Sequence, residues 1–416
     1  METIPFLDAD RARAIANEHG TPVFVYDQST IEAQADKVLA FPHAYGYTAR
    51  YAMKALPCGA VLRILHAKGI HIDASSGFEV ERALRAGFPA QHIMLTAQEL
   101  APNFDALVQK GVIFNACSLH QLRVFGERFP GTELCVRINP GLGSGHSNRT
   151  NVGGPSSSFG IWHEHLGEVL EIARHYSLTI RGMHTHIGSG SDPEVWVHCA
   201  QMALDIAAKL PDAQLLSLGG GHKVGRMPGE PSADLQAIGA RIVPMFKSFA
   251  KEHGRELRLE LEPGTFYVAN AGALLTRVMD VVDTGADGRR FIKIDGGMTE
   301  ILRPSLYGAQ HPMALYPGDT DARPEQDYLI AGHCCESGDI LTPEPGNPEG
   351  LHPRRLPEAR VGDLLVIGGA GAYCAAMSAK NYNSFPEAPE VLIGRDGAMN
   401  LVRRRQTLEQ VLENEL

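Results

Sequence analysis

The sequence has no excess of positive charge: 38 lysines and arginines stand against 48 aspartates and glutamates, a net charge of −10. That balance argues against a nucleic-acid polyanion as the main partner. No apolar run approaches the roughly 20 residues that a membrane-spanning helix needs, so no membrane partner is expected. The seven cysteines form no Cys-X-X-Cys pair and no metal-ligand spacing with histidine. Neither a metal site nor a disulfide framework is therefore expected. An odd thiol count fits a reducing compartment, and Met1-Glu2-Thr3-Ile4-Pro5 lacks the basic and apolar regions of a secretory signal. The expected location is the cytoplasm. No internal repeat or low-complexity stretch is visible.

What is present is an ordinary globular composition over 416 residues, 44% hydrophobic and 21% charged. It suffices for two domains, or for one large barrel with an appendage. A short helix over 8–19 and a strand over 22–27 come first. Strand-like runs then recur near 45–53, 70–73, 92–96, 112–116, 134–138, 179–187, 214–218 and 257–262. Helical patterns fill the gaps, at 58–68, 77–87, 103–110, 119–128, 163–176, 193–209 and 233–253. Alternation of this kind means parallel strands, and eight of them predict a closed (β/α)8 barrel over 30–275. An open doubly wound sheet is the competing architecture. After about residue 275 the strands shorten and are separated by Gly, Pro and Asp. Residues 1–29 and 276–416 are therefore expected to form a β-rich domain. Arg395-Asp396-Gly397 between two apolar runs signals a hairpin, and the proline-rich stretch 342–356 reads as an exposed loop.

In a (β/α)8 barrel, chemistry gathers at the C-terminal ends of the strands. Those ends carry Lys54, Asp73, Arg137 and Asn139, the run His184-Thr185-His186-Ile187-Gly188-Ser189-Gly190, Gly219-Gly220-Gly221, and Glu262-Pro263-Gly264. Each is ambiguous alone: a lysine after a strand is usually solvated, a glycine triplet usually a tight turn, a histidine as often core as functional. Together they point to pyridoxal 5′-phosphate. Gly219, Gly220, Gly221 and Gly264 would let backbone N–H groups approach a phosphate, with the Ser189 hydroxyl added. Lys54 would hold the aldehyde as a Schiff base. Glu262 would face the ring nitrogen, and His186 the ring.

In this order and spacing, with further motifs downstream, the chain resembles the fold-type III pyridoxal-phosphate decarboxylases, and among them the diaminopimelate decarboxylases. The downstream motifs are Asp295-Gly296-Gly297-Met298, Arg303-Pro304-Ser305-Leu306-Tyr307, Cys335-Glu336-Ser337-Gly338-Asp339, Gly371-Ala372-Tyr373 and Asn381-Tyr382-Asn383. The resemblance covers nearly the whole chain. It implies an alanine-racemase-like barrel with a C-terminal β domain, a homodimer with shared active sites, and release of CO2 from meso-diaminopimelate to give L-lysine. It also implies roles. Lys54, Asp73, His186, Ser189, the glycine loops, Glu262 and Tyr373 would hold the cofactor. Cys335, from the partner subunit, would return a proton. Arg303, Tyr307, Glu336 and Tyr373 would contact an amino-acid substrate.

Two departures bear on the substrate. The family usually has an arginine after Glu-Pro-Gly, serving the substrate's far carboxylate, where this chain has Thr265. Its usual Lys-Phe-Gly reads Ser158-Phe159-Gly160, after a Gly- and Ser-rich stretch 141–158 that contains His146, Arg149 and Asn151. Arg149 is the candidate replacement cation. A relative acting on another amino acid or a carboxylated polyamine is the competing activity. A non-catalytic homologue would be expected to have lost Lys54 or Cys335, and both are present.

Overall fold

The computed structural model describes residues 2–143, 153–186 and 188–416. By its contacts the chain divides into two compact units, one of residues 32–224 and 231–267, the other of 1–31, 225–230 and 268–416.

The first unit is the barrel. Its eight parallel strands are Tyr47–Ala52, His71–Ala74, Ile93–Leu95, Ile113–Ala116, Glu133–Asn139, Thr179–His184, Leu215–Ser217 and Arg258–Leu261. Closure is shown by the first strand pairing with the eighth (Ala49 opposite Leu261) and the fourth with the fifth (Asn115 opposite Cys135). The open-sheet alternative is thereby excluded. Helices lie between the strands because their apolar residues recur at helical spacing, as with Val169, Ile172 and Ala173 in Leu166–His175. Their starts are fixed by side chains. Ser76 accepts the Glu79 N–H, Ser118 the Gln121 N–H, and Asp234 the Gln236 and Ala237 N–H groups.

One helix, Gln28–Leu39, lies outside the sequence expectation. Asp27 starts it by accepting the Thr30 N–H at 2.8 Å and its hydroxyl at 2.6 Å. Its buried stripe is only Ile31, Ala35 and Val38, a narrow signal among polar neighbours.

Inside the barrel, Arg50 is 2% exposed and forms a two-pronged pair with Glu260, Nε to Oε2 at 2.9 Å and Nη2 to Oε1 at 3.0 Å. Its Nη1 also donates to the Ile72 and His92 carbonyls. The charges of this buried pair thus match each other.

The second unit is β-rich. Its main sheet runs Arg354–Pro357, Glu325–Ala331, Arg290–Ile294, Gly272–Asp283, Val23–Asp27, Glu390–Ile393, Met399–Arg403; Leu364–Ile367 joins Gly272–Asp283 to Met313–Tyr316. The helix Ala9–His19 packs Ala12, Ile15 and Ala16 with Val23, Val25, Leu275, Val366 and Val391 in its core. The expected hairpin is present, with Val391 opposite Leu401.

The expected loop at 342–356 is not one. Pro343–Glu344 pairs with Asn347–Leu351 around Gly346, and Arg354–Pro357 forms the sheet edge. The prolines fit because edge and terminal strand positions leave a backbone N–H unneeded.

Candidate active site

Parallel register sets the first layer of the barrel site. Arg137 lies opposite His184, and His184 opposite Ser217. Glu262 follows the eighth strand and is 4% exposed. His184 Nε2 is 2.7 Å from Glu262 Oε2, and the Ser217 hydroxyl donates to Glu262 Oε1 at 2.9 Å. Burial drives the Glu262 carboxyl up, but His184, Arg50 and Ser217 outweigh it and hold the group below its ordinary value. Glu262 is therefore an anion in a dry place.

Ser217 Oγ also accepts the Gly219 N–H at 3.1 Å, tying this carboxylate to the glycine turn. The turn itself requires glycine. Gly219 and Gly221 have φ of +71° and +98°, and a Cβ on Gly221 would stand 1.7 Å from the Gly188 carbonyl oxygen. The Gly220 N–H donates to His186 Nδ1 at 3.2 Å. So two of this turn's three N–H groups are occupied by side chains. The turn brings backbone close to its neighbours and holds His186 through the Gly220 N–H. Because Nδ1 accepts, a neutral His186 carries its proton on Nε2. Burial, with Arg137 and Lys54 nearby, holds His186 well below its ordinary pKa and so keeps it neutral.

The loops after strands six and seven are laced together. The Gly190 N–H donates to the Gly221 carbonyl at 2.9 Å. Trp196 covers them, its ring stacked on His222 at 4.1 Å and its Nε1 donating to the Gly190 carbonyl. Ser189 sits in this corner, half-buried.

Lys54 lies in a single 3-10 turn, Met53–Ala55, directly after the first strand. Its neighbours Met53 and Ala55 are buried while Lys54 is exposed, so the turn presents the amine outward. Gly264 packs against that turn, where a Cβ would meet the Ala52 carbonyl oxygen at 3.0 Å. Asp73, opposite Ala52 on the second strand, is 5% exposed and its Oδ1 has no hydrogen-bond partner. Burial and the Glu262 charge push Asp73 well above its ordinary value, against the opposing pull of Thr96, Lys54 and Arg50. Glu79, which accepts the Ser75 N–H at 2.7 Å, also feels the Lys54 charge. An outward amine, an anion, a neutral imidazole and an orphaned acid oxygen at one barrel end are the donor set that a ring with an aldehyde and a basic nitrogen requires.

The second unit carries its own cluster. Asp339 ties its own motif to the 295–298 motif and to the strand end before Cys335: its carboxylate accepts the Met298 N–H at 2.7 Å and the Cys334 N–H at 2.9 Å, and its carbonyl accepts the Gly332 N–H. The Asn383 side chain accepts the Cys335 N–H at 2.9 Å. The Ser305 hydroxyl donates to the Gly338 carbonyl at 2.7 Å, bringing the helix Arg303–Tyr307 to the same place. Glu336 Oε1 accepts the Gly338 N–H. Cys335 is the exposed one of seven cysteines, none of them in a disulfide. Burial pushes Cys117 up to about 11 and Cys135 up to about 12, leaving those thiols inert. Tyr373 has φ of +57°, a left-handed conformation that a bulky residue rarely holds.

Lys54, Asp73, His186, Ser189, Gly219, Gly220, Gly221, Glu262 and Gly264 thus belong to the barrel unit. Arg303, Tyr307, Cys335, Glu336 and Tyr373 belong to the other. Arg149, with His146 and Asn151, lies outside the described residues. Sequence reasoning did not see that His184 and Ser217 hold Glu262, although each ends its strand two residues before an expected site residue.

The pyridoxal-binding domain of the pyridoxal-dependent decarboxylases matches residues 29–269. The diaminopimelate decarboxylase of Streptomyces coelicolor is 39% identical over 422 residues, covering 99% of this chain and 92% of that one. That of Escherichia coli K12 is 36% identical, covering 99% and 97%. A crystal structure of a diaminopimelate decarboxylase superposes with a TM-score of 0.92 at 35% identity, covering 99% and 97% of the two chains. The Helicobacter pylori diaminopimelate decarboxylase, solved with L-lysine, superposes with a TM-score of 0.85 at 26% identity, over 97% and 98%.

Proposed function

Because the chain belongs to the pyridoxal-dependent decarboxylases, and within them to the diaminopimelate decarboxylases, we propose that it converts meso-diaminopimelate to L-lysine and CO2. The observation that carries the reading is the anionic, hydrogen-bonded Glu262 at the barrel end that also presents Lys54.

Bound pyridoxal 5′-phosphate supplies an electron sink for the electron pair of the breaking carbon–carbon bond. Glu262, kept ionised by His184 and Ser217, would pair with a protonated ring nitrogen. Neutral His186 would lie against the ring without adding charge. Lys54 would hold the aldehyde, Asp73 would meet the ring's polar edge with its orphaned oxygen, and Ser189, Gly219–Gly221, Gly264 and Tyr373 would surround the phosphate. Arg303, Tyr307, Glu336 and Tyr373 would orient the substrate. Cys335 would deliver a proton to the carbon that has lost CO2, a role suited to its exposed thiol.

The resemblance supports a homodimer in which Cys335 serves the partner's barrel. The absence of disulfides accords with a cytoplasmic setting. Among the described residues, no helix is long and apolar enough to cross a membrane.

Thr265 favours one rival, a decarboxylase of a different amino acid. Both are tested by CO2 release from meso-diaminopimelate, L-lysine, L-ornithine, L-arginine and D-lysine. Turnover of meso-diaminopimelate with lysine as product supports the proposal. Turnover of another member alone, or of none while the cofactor is bound, overturns it.

A further inference from the structure

Among the arginines of the second unit, two lack the partners that their surroundings call for. Buried Arg323 faces Asp363 and Asp319, and Arg354 faces Glu2. Arg226 feels one carboxylate, Glu230, whose pull is outweighed by burial and by the Arg303 charge. Arg226 sits on 225–230, the short excursion of chain that packs with the second unit. Its Nε donates to the Gly369 carbonyl at 3.0 Å, while Nη2 is buried without a hydrogen-bond partner. Glu230 accepts the Arg226 N–H at 2.8 Å and the Met227 N–H at 3.2 Å. Arg303 Nε is likewise buried and unpartnered, and its guanidinium carbon stands 6.0 Å from the Tyr307 ring centre.

These two cations feel each other. Burial, then the Arg303 charge, pulls Arg226 down to about 9. Burial first, then both charges, depress His311, which donates Nδ1–H to the Gly368 carbonyl and leaves Nε2 unpartnered. Neighbouring like charges with buried, unpartnered N–H groups are costly unless an anion joins them. The planar N–H edge of a guanidinium matches a carboxylate.

We propose that Arg226 is a specificity-determining residue, which with Arg303 binds the substrate carboxylate that is not released. This rests on the diaminopimelate reading above. It gives the chain a cation in place of the arginine that the family resemblance leads one to expect at Thr265. A monocarboxylate such as L-ornithine would leave the pair unneutralised and is discriminated against for that reason.

The test uses the full-length, cofactor-loaded enzyme and its Arg226→Met and Arg226→Lys variants. Three quantities are measured: KM and kcat for meso-diaminopimelate, the inhibition constant of pimelate, and the dissociation constant of pyridoxal phosphate. Loss of a charge-assisted hydrogen bond predicts that Arg226→Met raises KM and the pimelate constant together, about ten- to hundredfold. Cofactor affinity is expected to stay within twofold, and Arg226→Lys to fall between. Unchanged KM and pimelate constants overturn the proposal. So does weaker cofactor binding with KM unaltered, since the anion held is then the cofactor's phosphate. If wild-type enzyme does not turn over meso-diaminopimelate, the functional reading fails. Calorimetric binding of pimelate to wild type and variant then still decides whether Arg226 holds a carboxylate. Should Arg226→Met not fold, the same titrations on Arg226→Lys decide.

Discussion

His184 and Glu262 stand 2.7 Å apart, Nε2 to Oε2, at 2% and 4% side-chain exposure, on elements 78 residues apart in sequence. The contact sets the charge of the group proposed to face the cofactor's ring nitrogen. Without His184, only Arg50 and Ser217 would oppose burial, and Glu262 would take up a proton at a higher pH. His184→Leu is therefore expected to lower kcat about tenfold or more. It should also move the acidic limb of the kcat–pH profile to higher pH, because Glu262 would then protonate at a higher pH. A lower kcat with an unmoved limb would assign His184 to packing alone.

Lys54 is the exposed member of a buried turn, so its replacement leaves the surrounding packing in place. Lys54→Ala is expected to fold with unchanged circular dichroism and to lose the visible absorption band of lysine-bound cofactor. Turnover should fall by about 10³-fold or more, as for other covalent-catalysis residues. Full residual activity would remove Lys54 from the central role.

The barrel was legible because eight strands with a helix in every gap leave few other architectures, and because its end residues are chemically unusual types. The helix Gln28–Leu39 was not, since three buried side chains, Ile31, Ala35 and Val38, make too thin a stripe. The pairing of His184 with Glu262 is a matter of cross-strand register, which no local spacing encodes. Arg226 was hidden for another reason. It follows a glycine turn and reads as loop, while its meaning comes from Gly369 and Arg303, far along the chain.

The proposed sharing of sites between subunits makes a quantitative prediction. Lys54→Ala and Cys335→Ala enzymes should each be inactive, or nearly so. Dissociated and reassociated at equal amounts, they form mixed dimers with one site carrying both lesions and one carrying none. Activity should recover to about a quarter of wild type, given random pairing of a two-fold dimer. No recovery, with mixed dimers verified by mass spectrometry, would place Lys54 and Cys335 of a site on the same chain.

Behind the Cys335 loop, Glu300 Oε2 is 2.7 Å from the Thr299 hydroxyl, and that hydroxyl is 2.6 Å from His333 Nε2. One hydroxyl proton cannot serve both neighbours. Burial pushes Glu300 up to about 7, despite the bonds from Thr299 and Gly297, while burial holds His333 down to about 4. Near pH 7 Glu300 is therefore about half protonated, and Thr299 stands between it and a neutral imidazole, which is itself stacked on Phe385 at 3.6 Å. A carboxyl whose folded value lies above its unfolded one contributes stability that is fully present below about 4.5 and is lost as pH rises through about 7. The loss is at most about 3 kcal/mol, from 1.36 kcal/mol per tenfold proton affinity. Glu300→Gln carries the neutral group's shape and donor at every pH. Its urea midpoint is expected to match wild type near pH 5 and to exceed it near pH 8. Equal midpoints at both values would mean that Glu300 is ionised in the fold, and that Thr299 gives its proton to the carboxylate rather than to His333.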